Sequence, residues 1–242
     1  MFRFASLAFK NTLRNKRRSF LTISSIAVSL CLLGILLAIY DALFYSVATP
    51  GQALRVVVRH KVSLAQEILA SYEGKIRRVP GVKEITPMNW YGGTYKDNRD
   101  QKNFFARFGV APAAFLTTRT QLEMAPDQKH AFITERTACI VSKDLAKKLN
   151  FKLGDRIFLQ GDIYPGTLEL KLVGIFDDPD AAQSLFFNID YLRDTLPIAR
   201  RSYDSTITVL ADKPEDVPRI AKTIDAMFAN ASPPTKTESE QQ

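Results

Sequence analysis

Residues 19–40 read SFLTISSIAVSLCLLGILLAIY, a run of 22 residues that contains no charged side chain. At a rise of about 1.5 Å per helical residue, such a run spans about 33 Å. That length is enough to cross a hydrocarbon core of about 30 Å. The sequence therefore predicts a transmembrane helix, to which we assign residues 19–47.

The 18 residues before this run carry six basic side chains and no acidic one. Lys and Arg close to a membrane span are retained on the cytoplasmic side. We therefore expect the N-terminus to be cytoplasmic and the chain after Asp41 to lie across the membrane. A cleaved signal peptide is the alternative, because SVATPGQA (46–53) contains small residues suited to cleavage, but signal h-regions are usually only 7–15 residues long.

The basic leader, residues 1–18, mixes apolar and basic side chains in a way compatible with an amphipathic helix lying in the membrane interface. Such a helix would contact a cytoplasmic partner; the alternative is a flexible leader that only sets orientation. The candidate residues for this interface are Phe4, Leu7, Ala8, Leu13, Arg14, Arg17 and Arg18.

The net charge of +8 does not indicate nucleic-acid binding. Six of the 33 basic residues lie in the leader, so residues 19–242 hold 27 basic and 25 acidic side chains, a balance of only +2. No basic stripe for phosphates remains. The two cysteines, Cys31 in the apolar run and Cys139 in the apolar stretch ACIV, do not suit a disulfide framework.

The two ends of the remaining chain share a strand–helix pattern. Residues 54–61 and 82–88 read as strands, with a helix between them that Ser63 and Gln66 would open as a capping box. Residues 205–210 read as a further strand, and Pro218 suits the first turn of a helix after it. These patterns predict an α+β fold.

The middle of the chain is richer in strands. Residues 102–110, 138–141, 156–160 and 167–176 have strand-like patterns, and Ser142 is positioned to cap a short helix. Residues 231–242, ASPPTKTESEQQ, have the composition of a disordered linker. We therefore predict one subdomain from residues 53–98 plus 202–230, a β-rich insertion over residues 99–201, and a disordered tail over 231–242.

No catalytic, cofactor-binding or metal-binding constellation is evident. His60 and His130 have no triad-like neighbours, and no zinc motif occurs. The acidic group from Asp177 to Asp180 contains Pro179 and reads as a turn that ends a strand, not as a cation loop. Gly92-Gly93 lacks the helix start and Lys of a phosphate loop and also reads as a turn.

Aromatic residues cluster at two neighbouring places in the sequence. They could line a surface for a partner or pack in the core, and we favour core packing. The residues are Trp90, Tyr91, Tyr95, Phe104, Phe105 and Phe108.

The leader and apolar run, LAFKNTLRNKRRSFLTISSIAVSL, resemble the N-terminus of MacB/FtsX-like ABC transporter permeases. Those chains open with an amphipathic cytoplasmic helix, a basic N-x-x-R-x-x-R-R-S/T-x-L-T segment and a first span. The matching residues are Asn11, Arg14, Arg17, Arg18, Ser19, Leu21 and Thr22.

A second stretch, VSKDLAKKLNFKLGDRIFLQG followed by LKLVGIF, is similar to the middle of the MacB-type periplasmic core domain. There a short helix leads through a Gly-Asp turn into strands that end in V-x-G-I/V-F. The matching residues are Val141, Leu145, Ala146, Leu149, Gly154, Asp155, Ile157, Val173, Gly174 and Ile175.

The resemblance covers residues 1–230 and implies a porter-like α+β subdomain with an inserted β-rich subdomain. It also implies a non-catalytic subunit of the bacterial inner membrane that relays ATP-driven movement to its periplasmic domain, with no cofactor or metal. Its partners would be a cytoplasmic ABC ATPase, a second copy or a homologous permease, the lipid bilayer and a periplasmic protein, but no nucleic acid. Family members carry three further spans, so the resemblance predicts a truncated permease.

A single-pass, membrane-anchored periplasmic binding or adaptor protein is the alternative function. The DNA downstream discriminates, because three further encoded spans favour the permease and a stop followed by an unrelated gene favours the adaptor. A soluble hydrolase is disfavoured by the missing catalytic constellation. No motif selects the transported substrate or the direction of transport.

Overall fold

The computed structural model describes residues 15–44, 51–97, 99–164 and 166–240. The chain divides into two compact units, residues 1–47 and residues 48–242.

The first unit contains one long helix, α1 (Lys16–Phe44). Within its segment Lys16–Asp41, an 18-residue window has a mean hydropathy of 2.5, and by length and composition the segment is able to cross a membrane. The apolar side chains of this segment are exposed, including Leu30 and Leu36, whereas a core helix of a soluble protein would bury them. The predicted span from residue 19 is therefore helical as far as Phe44, and residues 45–47 lie outside the described residues.

The second unit combines short helices with a large sheet. Its described helices are α2 (Tyr72–Ile76), α3 (Pro112–Thr118), α4 (Pro126–Thr134), α5 (Lys143–Leu149), α6 (Ile189–Thr195) and α7 (Val217–Phe228). Its described strands are β1 (Arg55–His60), β2 (Ile68–Leu69), β3 (Val82–Trp90), β4 (Gly93–Thr94), β5 (Ala106–Val110), β6 (Ala138–Ser142), β7 (Arg156–Gly161), β8 (Thr167–Phe176), β9 (Ser184–Asn188), β10 (Tyr203–Asp204), β11 (Thr206–Ala211) and β12 (Thr235–Ser239). The predicted α+β class is confirmed.

The main sheet is mixed and has the strand order β12-β1-β11-β3-β5-β9-β6-β8-β7-β4. The pairs β5–β9 and β6–β8 are parallel, and the other neighbours are antiparallel. A separate two-stranded sheet joins β10 to β2.

The strand order requires the sheet to curl between β3 and β4. These strands are fourth and tenth in the order, which in a flat sheet with strands about 4.8 Å apart would separate them by about 29 Å. Only Tyr91 and Gly92 join them, and three residue steps reach at most about 10 Å. The seven strands from β3 to β4 therefore close toward a barrel, and we call the gap where β3 passes into β4 the seam.

The buried side chains form three clusters. One joins the two ends of the unit, with Val58 and Ile85 packed against Ile207, Ile220 and Phe228. The other two lie within the middle of the chain. In one of these, alternate residues of β8 point inward, as the strand period requires; they are Leu168, Leu170 and Leu172. The subdomain boundaries themselves, 53–98 plus 202–230 and 99–201, stay a prediction.

The prediction of a helix that begins at Ser63 is wrong over the first half of that helix. The Ser63 hydroxyl accepts a hydrogen bond from the Ala65 N–H, a local turn that competes with helix capping. Ile68 and Leu69 instead form β2 and pair with β10. The helix is therefore confined to α2, because pairing with a distant strand outweighs the weak local preference for helix.

The disordered tail predicted over residues 231–242 is also wrong where the structure describes it. Residues 235–239 form β12 and pair with β1, with Thr237 opposite Val58. Thr235 and Thr237 are buried while Lys236 between them is exposed, the alternation of a half-buried strand. Composition suggested a linker because an edge strand needs few apolar residues, and threonine suits a pleated surface.

Candidate functional site

The predicted interface residues of the leader are only partly within the described structure. Phe4, Leu7, Ala8, Leu13 and Arg14 lie outside the described residues. Arg17 and Arg18 lie in the first turn of α1 and are exposed. Their proposed contact with a partner stays a prediction.

A buried arginine lies at the first position of β1. Arg55 is fully buried, and its Nη2 donates to Asp180 Oδ2 at 3.0 Å while its Nη1 donates to Gln121 Oε1 at 2.9 Å. Its Nε donates to Glu240 Oε2. Each of its three nitrogens therefore has an acceptor, which a buried guanidinium requires.

A second arginine completes the same network. Arg119 donates from Nη1 to Asp178 Oδ2 at 3.2 Å and from Nη2 to Glu240 Oε1 at 2.9 Å. The carboxylate of Glu240 thus bridges Arg55 and Arg119. We call this group of six residues the end cluster: Arg55, Arg119, Gln121, Asp178, Asp180 and Glu240.

Local sequence places these charges. Asp178 ends the segment after β8 and accepts from the Asp180 N–H at 3.0 Å, so the predicted strand-ending turn is present. A Cβ at Gly51 would lie 2.6 Å from Gln121 Oε1 and 2.9 Å from Arg55 Nη1. A larger residue at this position would therefore displace the side chains of Gln121 and Arg55 from the end cluster.

The end cluster ties three distant parts of the sequence together. Arg55 begins the first strand after α1, Glu240 follows the last strand, and Arg119 with the two aspartates comes from the middle of the chain. Removing one partner of such a buried ion pair costs about 3–5 kcal/mol, because the other charge is left without compensation.

A second cluster of charges lies between α2, α6 and β10, and we call it the latch cluster: Arg193, Glu73, Asp190 and Asp204. Arg193 Nη2 lies 2.8 Å from Asp204 Oδ1 and 3.5 Å from Glu73 Oε1. Asp204 is fully buried. Its burial, and next to that the neighbouring Glu73 carboxylate, raise the pKa of Asp204 to about 7, although Arg193 opposes the shift.

The aromatic residues divide between core and surface. Tyr91, Tyr95 and Phe105 are buried, as the core interpretation expects, whereas Trp90 and Phe104 are exposed to 46% and 78%. Alternation along extended chain separates these neighbours onto opposite faces.

The remaining candidates for chemistry have structural surroundings. His60 is buried and accepts a hydrogen bond from the Val62 N–H at its Nδ1, while His130 is exposed on α4. Burial raises the pKa of the Cys139 thiol, so it is a poor nucleophile. Within the described ranges, no group of three His, Cys, Asp or Glu side chains is placed to hold a metal ion.

An apolar helix followed by a curled, mixed α+β sheet defines the class of this protein, a folded domain that follows a helix able to cross a membrane. The family model of the MacB-like periplasmic core domain matches residues 19–227. The chain therefore belongs to this family of ABC transporter permeases, whose members are generally non-catalytic.

Two solved structures show the same fold. The extracellular domain of the ABC-type transporter YknZ from Gram-positive bacteria is 12% identical, with a TM-score of 0.55 over 76% of this chain and 99% of its own. The periplasmic region of MacB from Actinobacillus actinomycetemcomitans is 12% identical, with a TM-score of 0.56 over 77% of this chain and 88% of its own. A comparison with curated proteins found no match.

Sequence reasoning missed both charge clusters. Arg55 directly precedes the apolar run VVV, and Glu240 follows a strand that was interpreted as a linker. The one available signal is a charge at the end of an apolar strand, but the partners of Arg55 in the end cluster lie between 66 and 185 residues away in sequence. No local pattern identifies them.

Proposed function

We propose that this chain is a permease subunit of a MacB/FtsX-like ABC transporter in a bacterial inner membrane. Its N-terminus lies in the cytoplasm and its folded domain in the periplasm. Six basic and no acidic side chains before the apolar run support this orientation, since such charges are retained on the cytoplasmic side. ATP hydrolysis takes place in a partner ATPase, and the subunit assembles with a second copy or with a homologous permease.

The end cluster is the observation that carries this proposal. Ten residues, 45–54, separate the membrane helix from Arg55, and this guanidinium is joined by ion pairs to the middle and to the last strand of the domain. A displacement of the helix is passed through this tie into the periplasmic sheet. There it acts on a substrate or on a periplasmic partner, in export or in lipoprotein handling.

Binding to the ATPase depends on the apolar side chains of the leader in this proposal. Replacing Leu7 and Leu13 together by Asp should abolish co-purification of the full chain with its partner ATPase. The measurement is the amount of ATPase recovered from detergent-solubilised membranes on a tag at the C-terminus of this chain.

The matched control places Asp at Ser6 and Asn11, which adds the same charge to the leader at polar positions. This control variant should retain the ATPase. Undiminished recovery with the Leu7 and Leu13 variant would refute docking through the leader, and loss with both variants would show that charge alone, not the apolar residues, is responsible.

A further inference from the structure

A cleft opens at the seam of the curled sheet, outside both charge clusters. It has a volume of about 410 Å³ and is lined by the end of β3, the start of β4 and β5, the segment before β5, and the residue that follows β7. Pockets for small molecules span about 300–1,000 Å³. The cleft is therefore large enough for a compact organic ligand.

Two aromatic side chains give the cleft an apolar wall. Trp90 and Phe104 both line it, and they are exposed to 46% and 78% while the neighbouring residues Tyr91 and Phe105 are buried. Trp90 is also the single tryptophan of the chain. An indole face that solvent can reach is the best aromatic partner for a cation.

The arginine of the cleft is bound to backbone carbonyls. Arg107 donates from Nη2 to Asn103 O at 2.8 Å and from Nη1 to Gly93 O, and its guanidinium lies over the Phe105 ring at 4.3 Å. Its Nε is buried and out of reach of a ligand. Arg107 therefore holds the seam together by binding the backbone of β4 and of the segment before β5.

Two aspartates at the rim have acceptor capacity left. Asp100 Oδ1 accepts from the Lys102 N–H at 2.9 Å, and Asp162 Oδ2 accepts from Thr94 Oγ1 at 3.3 Å. In the described parts of the chain, neither carboxylate forms an ion pair, and the second oxygen of each has no hydrogen-bond partner. Arg107 is the one basic residue among those that line the cleft. Two aspartates and one arginine give the cleft a net negative charge.

We propose that this seam cleft binds an organic cation, an ammonium or guanidinium group carried on an apolar body. The cation lies over the Trp90 ring and donates charge-assisted hydrogen bonds to the carboxylates of Asp100 and Asp162. The apolar body packs against Phe104. A free amine and a basic side chain of a peptide share this chemistry, and the site is independent of the proposed transport function.

Trp90 emission tests the proposal directly, since no other tryptophan contributes. The full chain in detergent is titrated at pH 7 with phenethylamine, with the neutral 2-phenylethanol and with the anionic phenylacetate. Of these three compounds, only phenethylamine is expected to give a saturable change in emission. Asp162→Asn and Asp100→Asn should each lower the affinity for this amine at least fivefold. N-acetyl-Lys-Phe-amide is titrated in parallel, and tighter binding of the peptide or of the amine identifies the source of the cation.

Glu215→Gln is the matched control, because it removes an exposed carboxylate from the turn before α7 and should leave the affinity unchanged. An equal response to 2-phenylethanol would contradict recognition of the positive charge of the ligand. A response to phenylacetate would contradict the proposed negative charge of the cleft. No saturable response to either cation, or full affinity in both aspartate variants, would overturn the site itself. Should Asp162→Asn disturb the fold, as judged by circular dichroism, the Asp100→Asn variant decides.

Discussion

The end cluster and the latch cluster are both built around arginine, buried in the first and partly exposed in the second, and they differ in how completely their charges are matched. In the end cluster two guanidinium groups form ion pairs with three carboxylates, and Glu240 pairs with both arginines. In the latch cluster Arg193 pairs with three carboxylates, of which Asp190 also pairs with Arg136. Among the described residues, Asp204 Oδ2 and Arg193 Nε have no hydrogen-bond partner. The difference shows that the number of neighbouring cations, and not burial alone, decides how completely a buried carboxylate is paired.

The largest effect is expected from Arg55→Met. Loss of this guanidinium leaves Asp180 and part of Glu240 buried without their cation, so the free energy of unfolding should fall by about 3–5 kcal/mol. Urea unfolding of the full chain in detergent, followed by circular dichroism, measures the change.

Arg59→Met is the matched control for this variant, since Arg59 lies on the same strand and pairs with Glu238 of β12 while both side chains remain partly exposed. Its cost should stay near 1 kcal/mol or less. Equal losses in the two variants would contradict a special role for the end cluster.

An intermediate effect, and a dependence on pH, are expected in the latch cluster. Because the pKa of Asp204 is raised to about 7, the folded protein binds this proton more tightly than the unfolded chain, whose carboxyl titrates near pH 3.9. The stability that this proton contributes is complete below about pH 4 and is lost as the pH rises through 7. Between pH 5 and pH 8 the wild-type chain should therefore lose about 1–3 kcal/mol relative to Asp204→Asn.

The measurement is the difference between the two unfolding free energies at each pH, so that the other carboxylates cancel. The charged groups that face Asp204 are Arg193 and Glu73, with Asp190 on the same arginine. A difference that is flat with pH, or that grows in favour of the wild type as the pH rises, would show that Asp204 is ionised throughout.

The smallest effect is expected from Arg136→Met. Arg136 also pairs with two carboxylates, Asp190 and Asp194, but all three side chains are at least half exposed. Solvent screens such pairs, so the free energy of unfolding should change by less than about 1 kcal/mol. A loss as large as that of Arg55→Met would mean that the number of partners matters and burial does not.

The sequence was sufficient for the elements whose signals are local. The apolar run of α1, the cap of α5 by Ser142, where the hydroxyl accepts from the Leu145 N–H, and the alternation of β8 each follow from neighbouring residues. The α+β class followed from the order of such elements, and the family from two motifs.

The remaining features depend on partners that are distant in sequence. β2 and β12 exist because β10 and β1 supply their hydrogen bonds, and neither segment has a strong pattern of its own. The seam cleft likewise needs the curl of the sheet to bring Trp90 next to Asp162, 72 residues later. Contacts between residues this far apart in sequence produce no local sequence pattern from which they can be predicted.

The orientation of the chain in the membrane is the claim on which the proposed function depends. Single cysteines at Asn15 and at Glu215, both exposed, report the two sides when spheroplasts are treated with a membrane-impermeant maleimide. Labelling of the wild-type chain gives the background, because Cys139 is buried and Cys31 lies within α1. We predict that Glu215→Cys is labelled in intact spheroplasts and that Asn15→Cys is labelled only after permeabilisation. The reverse pattern would contradict the proposed orientation.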